Sequence, residues 1–384
     1  MAASGIVMAP PGNGHGRVEK DGPERGLGLD LARALAVMMV LVGHWANNVG
    51  QWFHVTAPHK VFFAGQMGVE LFFALSGFLI GRILLDIIDT RPEWRDFRVF
   101  MIRRAMRTLP LYFLWLALLL LVFPPRQDGL AVALRFLTLT QNLTAPMPPD
   151  YYTVTWSLTV EEWFYLLFGG GLILGARLLG GARALWLCFL VFLLGPLLLR
   201  LAFLDWSPHS WEVSKQVFFR IDEIAYGVLM AKLWRSGHWL FRHPWPPLLI
   251  GLLCVGAIWS GQSPLPPGLV PPLMYNVTII GWALCLPAAL RLRRAPMWFE
   301  APVRWIAARS YALYLVHLTI LVDVAQNLLW APGRLSAPLA AVVAIALPFV
   351  LAELSYRFVE GPILRRRPRQ TRPGHALAAG ASGV

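Results

Sequence analysis

Ten stretches of predominantly apolar residues dominate this chain, near residues 28–46, 66–87, 105–123, 157–178, 184–204, 217–234, 245–261, 272–291, 305–329 and 337–358. Crossing the hydrocarbon core of a bilayer takes about 20 apolar helical residues, since every backbone polar group must be satisfied within the segment. The spacing therefore predicts an all-α integral membrane protein, a bundle of about ten transmembrane helices. A composition of 57% hydrophobic and only 14% charged residues excludes a soluble globular domain. Two stretches are less regular: the sixth contains Arg220, Asp222 and Glu223, and the seventh is short. The segment 129–144 is too polar and too short to span and reads as an interfacial or re-entrant helix. Residues 1–27 and 367–384 read as disordered cytoplasmic tails, which leaves 28–366 as one transmembrane domain.

A formal net charge of +13 would suit nucleic acid in a soluble protein, but here the basic residues lie mainly in the short segments between apolar runs. With the N-terminus placed in the cytoplasm, 27 of the 34 Lys and Arg residues fall on the cytoplasmic side. That bias predicts a multi-pass protein of the cytoplasmic membrane with both termini inside, the lipid bilayer as its surroundings and no nucleic-acid partner. Cys188, Cys254 and Cys285 all sit in apolar runs without a CxxC pattern, and the loop histidines stand at no metal-ligand spacing. No disulfide framework and no metal site are expected. Asn142-Leu-Thr144 fits a glycosylation sequon on the outer side.

Topology sorts the polar residues within the spans. Arg33 and His44 are eleven residues apart on the first span, which places them on one helical face about 16 Å apart. Ionisable groups in a membrane helix are costly and usually face the protein interior or a wet cavity, where they mark a functional path. Arg103, Arg104 and Arg107 open the third span at the inner level of Arg33. Glu70 in the second span, and Glu161 and Glu162 in the fourth, are expected in the outer half with His44. In the ninth, Ser310, Tyr314 and His317 share a face. Any one inner arginine could be a topology anchor reaching lipid phosphate, but together they suit a polyanionic ligand, because guanidinium forks match phosphate oxygens. General-base work on a hydroxyl needs an imidazole with its other nitrogen held, and Glu70, Glu161 and Glu162 are the candidates to hold that of His44. His317 reads more readily as structural. Ser76 lacks the turn that supports a nucleophilic serine and reads as close packing, as does the Gly77-x-x-x-Gly81 face beside it.

With these residues placed, the sequence resembles the acyltransferase 3 family of integral membrane O-acyltransferases across about residues 28–366. The resemblance rests on the Arg33-x10-His44 pair, GVELFFALSGFLI at 68–80, RRAMRTLPLY at 103–112, WSLTVEEWFY at 156–165, FRIDEIAYG at 219–227, SYALYLVH at 310–317 and VEGPILRR at 359–366, in this order. It implies a ten-helix bundle that takes an acyl group, commonly acetyl, from cytoplasmic acyl-CoA to a hydroxyl of a cell-envelope glycan or small-molecule metabolite. Acyl-CoA would be the donor substrate, with no permanently bound cofactor. His44 matches the family's essential histidine and Arg33 its partner. Arg103, Arg104 and Arg107 match its basic third-helix motif, and Glu161 and Glu162 its acidic fourth-helix motif. Glu70 stands where many members carry Asp, and Gly361 replaces a common basic residue. General-base catalysis by His44 and an acyl-histidine intermediate both fit the resemblance. The competing reading from the residues alone is a proton-coupled secondary transporter with His44 and the carboxylates as a relay.

Overall fold

The computed structural model of the protein describes residues 26–368, apart from 57, 90–91, 149–150, 204–213 and 262–264. The two expected tails fall almost wholly outside these residues. Among the described residues all regular structure is helical, and eight helices are long and apolar enough to cross a membrane. They are α1 (Leu27–Trp52), α2 (Lys60–Asp89), α3 (Trp94–Val122), α5 (Thr153–Leu179), α6 (Gly181–Ala202), α9 (Val270–Arg291), α10 (Met297–Trp330) and α11 (Ala337–Arg366). Between them lie the shorter α4 (Gly129–Leu137), α7 (Asp222–Arg235) and α8 (Trp245–Ser260). The sixth and seventh expected spans correspond to α7 and α8. α7 follows a short turn, Val217–Arg220, and with 14 residues and Asp222 and Glu223 in its first turn it is both too short and too polar for the same class. α8, at 16 residues, is shorter than a full crossing needs.

The first two helices set the frame. The opening turn of α1 satisfies one of its free amides outside the helix: Gly28 N–H donates to the Leu292 carbonyl at the end of α9 (2.8 Å). Asp30 accepts from Arg33 (2.9 Å) and from Arg304 of α10 (3.0 Å), so the same end of α1 is tied to two neighbours. Antiparallel to it, α2 approaches closely enough that a Cβ at Gly68 would stand 2.6 Å from the Ala36 carbonyl oxygen. The Gly77-x-x-x-Gly81 face packs instead against α7, where a Cβ on Gly77 would lie 2.0 Å from the Ile224 carbonyl oxygen. Only glycine permits that approach, so the sequence pattern does report close helix packing.

The region after α3 does not cross. α4 is followed by a turn-rich stretch that folds into the bundle and is held there through hydrogen bonds. Tyr112 Oη donates to the Phe136 carbonyl (2.7 Å) and Trp163 Nε1 to that of Leu139 (2.8 Å). Gln141 and Asn142 are fully buried. Asn142 Nδ2 donates to the carbonyls of Trp156 (3.1 Å) and Lys215 (2.7 Å), a place no glycan could occupy, so the sequon reading is overturned. Beyond His317, α10 widens to i→i+5 hydrogen bonding over Thr319–Trp330, a geometry often found near functional sites.

Candidate active site

α1 and α10 bring His44 and His317 together. The Nδ1 of His44 lies 3.1 Å from the Nε2 of His317, with ring centroids 5.0 Å apart. His44 Nδ1 is also 3.0 Å from the Val40 carbonyl one turn back, while His317 Nδ1 is 2.8 Å from the carbonyl of Tyr314 and 3.2 Å from that of Leu313. His317 is completely buried; His44 is partly exposed, with Phe62 of α2 edge-on at 5.9 Å. Tyr314 is itself fixed, its Oη donating to the Val154 carbonyl (2.8 Å) and pairing with Ser157 Oγ (2.7 Å).

The carboxylates expected beside His44 lie elsewhere. Counted along α2 from Phe62, Glu70 is eight residues on, about 12 Å toward the arginine-rich end, and Ser76 is about 21 Å on. Ser76 Oγ donates to Glu161 (2.7 Å), which also accepts from Tyr165 Oη (2.8 Å). Glu162 accepts from Thr108 Oγ1 of α3 (2.7 Å), and Tyr311 Oη donates to the Thr108 carbonyl (2.6 Å). The expected separation of cations and acids at opposite ends therefore does not hold. The physical reason is the inserted segment before α5. It carries the chain into the bundle, so α5 starts near the level of Tyr314 and its glutamates emerge one to two turns deeper still.

Arg33, Arg104 and Arg107 do gather at one end, close enough to repel one another. Glu161 lies within electrostatic reach of Arg104 and Arg107, yet among the described residues neither arginine forms an ion pair. Both are partly exposed. Arg103 is turned from this group and donates to the Pro368 carbonyl after α11.

Glu70 belongs to a second, wholly buried cluster that composition and spacing did not reveal. Arg220 pairs with Glu223 and with Glu70 (3.3 Å), stacks over the Tyr275 ring (3.8 Å to its centroid) and, with the Gln66 amide oriented oxygen-inward, donates to that oxygen at 2.7 Å. Beside it Arg200 of α6 grips Asp222 (2.6 and 3.1 Å), Asn276 Oδ1 (2.7 Å) and the Pro272 carbonyl (3.0 Å). Arg200, Arg220, Asp222, Glu223 and Glu70 are each at most 2% exposed. Among the described residues no group of three or more His, Cys, Asp or Glu side chains could hold a metal ion.

These features define the class: an all-helical integral membrane protein whose first helix links a histidine pair to a cluster of cations. Sequence comparison adds the particular family. The profile of the acyltransferase 3 family, described as an acyltransferase domain, matches residues 27–353, and the chain belongs to that family. It is 25% identical over 376 residues to the peptidoglycan O-acetyltransferase OatA of Listeria monocytogenes, covering 87% of this chain and 55% of that protein. It is 26% identical over 374 residues to the O-acetyltransferase OatA of Staphylococcus aureus strain NCTC 8325, covering 88% and 57%. The chain thus spans little more than half the length of these curated relatives. No solved structure gives a significant match.

Proposed function

We propose that this chain transfers an acyl group, commonly acetyl, from cytoplasmic acyl-CoA to a hydroxyl of a cell-envelope glycan such as peptidoglycan, with His44 as general base. One observation carries this reading: in a member of an acyltransferase family, α1 sets His44 about 16 Å from Arg33 on the same face, with Arg104 and Arg107 beside Arg33 and without ion-pair partners among the described residues. A CoA molecule has its phosphates at one end and its thioester at the other of a thin arm, so cations and base separated along one axis suit it. The inner cations would bind phosphate oxygens through forked hydrogen bonds. At the other end His44 Nε2 removes the proton of the acceptor hydroxyl as its oxygen attacks the thioester carbonyl. The carbon–sulfur bond then breaks, and CoA leaves as the thiolate to be protonated.

Glu161 and Glu162 act at the donor end in this account: Glu162 steadies α3 through Thr108, Glu161 is held by Ser76 and Tyr165 within electrostatic reach of the arginines, and Glu70 holds the buried ion cluster. With both termini in the cytoplasm, the arginine end faces the cytoplasmic pool of acyl-CoA and the His44 level faces the acceptor. A relay for proton-coupled transport draws no support from this arrangement, because the carboxylates stand away from His44. The test is His44→Ala in purified, membrane-reconstituted protein supplied with radiolabelled acetyl-CoA. Acyl transfer should disappear while acetyl-CoA binding remains; retained turnover overturns the assignment.

A further inference from the structure

From sequence alone His317 reads as structural, and the proposed reaction gives it no part. Its contacts say otherwise. A backbone carbonyl only accepts a hydrogen bond, so the Tyr314 and Leu313 oxygens at 2.8 and 3.2 Å put the hydrogen of His317 on Nδ1. With the ring fully buried and no carboxylate ion-paired to it among the described residues, the neutral form is the one burial favours. Its Nε2 is therefore an acceptor, and it faces His44 Nδ1 at 3.1 Å. The other neighbour of His44 Nδ1 is the Val40 carbonyl at 3.0 Å, again an acceptor. Two independent neighbours thus demand the same tautomer, with the hydrogen on Nδ1 and the lone pair on Nε2. A neutral base with one nitrogen occupied has one reactive atom left.

We infer that His317 is the positioning residue of the reaction: it fixes the tautomer and tilt of His44 so that Nε2 is the reacting nitrogen. The inference rests on His44 being the base. The proton taken from the hydroxyl arrives at Nε2, and the resulting imidazolium keeps its Nδ1–H on the His317 lone pair, which spreads the new charge without a buried carboxylate. Tyr314, locked by Val154 and Ser157, holds the carbonyl on which His317 turns. The device does what an acidic residue does for a catalytic histidine elsewhere, using a neutral ring.

Glutamine and asparagine separate this role from packing. The terminal atoms of Gln at 317 reach the position of Nε2 and offer an oxygen to His44, whereas those of Asn reach only the position of Nδ1 and keep the bond to Tyr314. His317→Gln should retain kcat within about tenfold of the parent, while His317→Asn and His317→Leu should lose about 10²-fold, within the range general-base catalysis supplies. The KM for acetyl-CoA should move less than about twofold in all three, since the arginine end is untouched. The loss is not total because Val40 still holds the Nδ1 hydrogen. Equal kcat in the Gln and Asn variants overturns the inference, and does so even where the Leu variant fails to fold. Wild-type kcat in His317→Leu, with His44→Ala inactive, overturns it while leaving His44 as the base. Activity in His44→Ala instead removes the reading on which it stands.

Discussion

Two groups of arginines in this protein use the same chemistry to opposite ends. Arg200 and Arg220 are buried, and each meets a carboxylate, a neutral amide and an aromatic ring. Arg104 and Arg107 are partly exposed and have no ion pair among the described residues. The first pair is saturated from within and has nothing to offer a ligand. The second keeps donors in reserve at the end of α1 where Arg33 already adds positive charge, an arrangement that a folded protein tolerates only at some expense in repulsion. An intramembrane arginine is thus informative by its partners rather than its presence.

The largest expected effect falls on the saturated pair. Replacing Arg220 by Leu leaves Glu223 and Glu70 buried without their cation, a change that typically destabilises by about 3–5 kcal/mol. The variant should lose most of its folded yield and show a markedly lower thermal midpoint in detergent. An unchanged midpoint would mean that the cluster is not structural, and the contrast drawn above would collapse. Arg200→Leu should behave alike, because Asp222 and Asn276 depend on it.

At the open pair the effect moves from stability to affinity. Arg104→Gln and Arg107→Gln should each raise the KM for acetyl-CoA about tenfold, or about 1.4 kcal/mol, with kcat little changed. Their thermal midpoints should stay close to the parent's, since no ion pair is broken. A shift in midpoint without a shift in KM would reduce them to topology anchors.

The sequence made most of the fold legible because apolar runs of spanning length leave few alternatives. Gly77 and Gly81 announced a close helix contact, and the segment at 129–144 announced that it would not cross. What remained hidden was depth. The placement of Glu161 depends on how much chain the inserted segment consumes before α5 begins, and no local pattern encodes that. α7 was equally opaque: Arg220, Asp222 and Glu223 weaken its apolar signal, yet their partners Glu70, Arg200 and Asn276 come from three other helices. His317 did carry a signal. It shares a face with Ser310 and Tyr314, and from that face His317 reaches His44 while Tyr314 reaches Val154 and Ser157. Nothing in that pattern separates a structural histidine from a positioning one; the 3.1 Å contact across helices does.

The smallest expected effect probes the border between the two kinds of site. Glu161 lies near Arg104 and Arg107 without an ion pair to either among the described residues, its two oxygens accepting from Ser76 and Tyr165. Those hydroxyls hold the carboxylate back from the arginines and leave the guanidinium groups free for phosphate. Ser76→Ala removes one of them and frees an oxygen to turn toward the cations. A neutral donor lost to a charged acceptor is worth about 1.5–3 kcal/mol when nothing replaces it, but here an arginine can, so stability should change by less than about 1 kcal/mol. The consequence should appear as a two- to fivefold rise in the KM for acetyl-CoA, as Glu161 competes with the ligand, and adding Arg104→Gln should make the Ser76 substitution nearly silent. Strictly additive effects of the two substitutions would show that Glu161 does not gate the arginines, and that their open donors owe nothing to the hydroxyls around it.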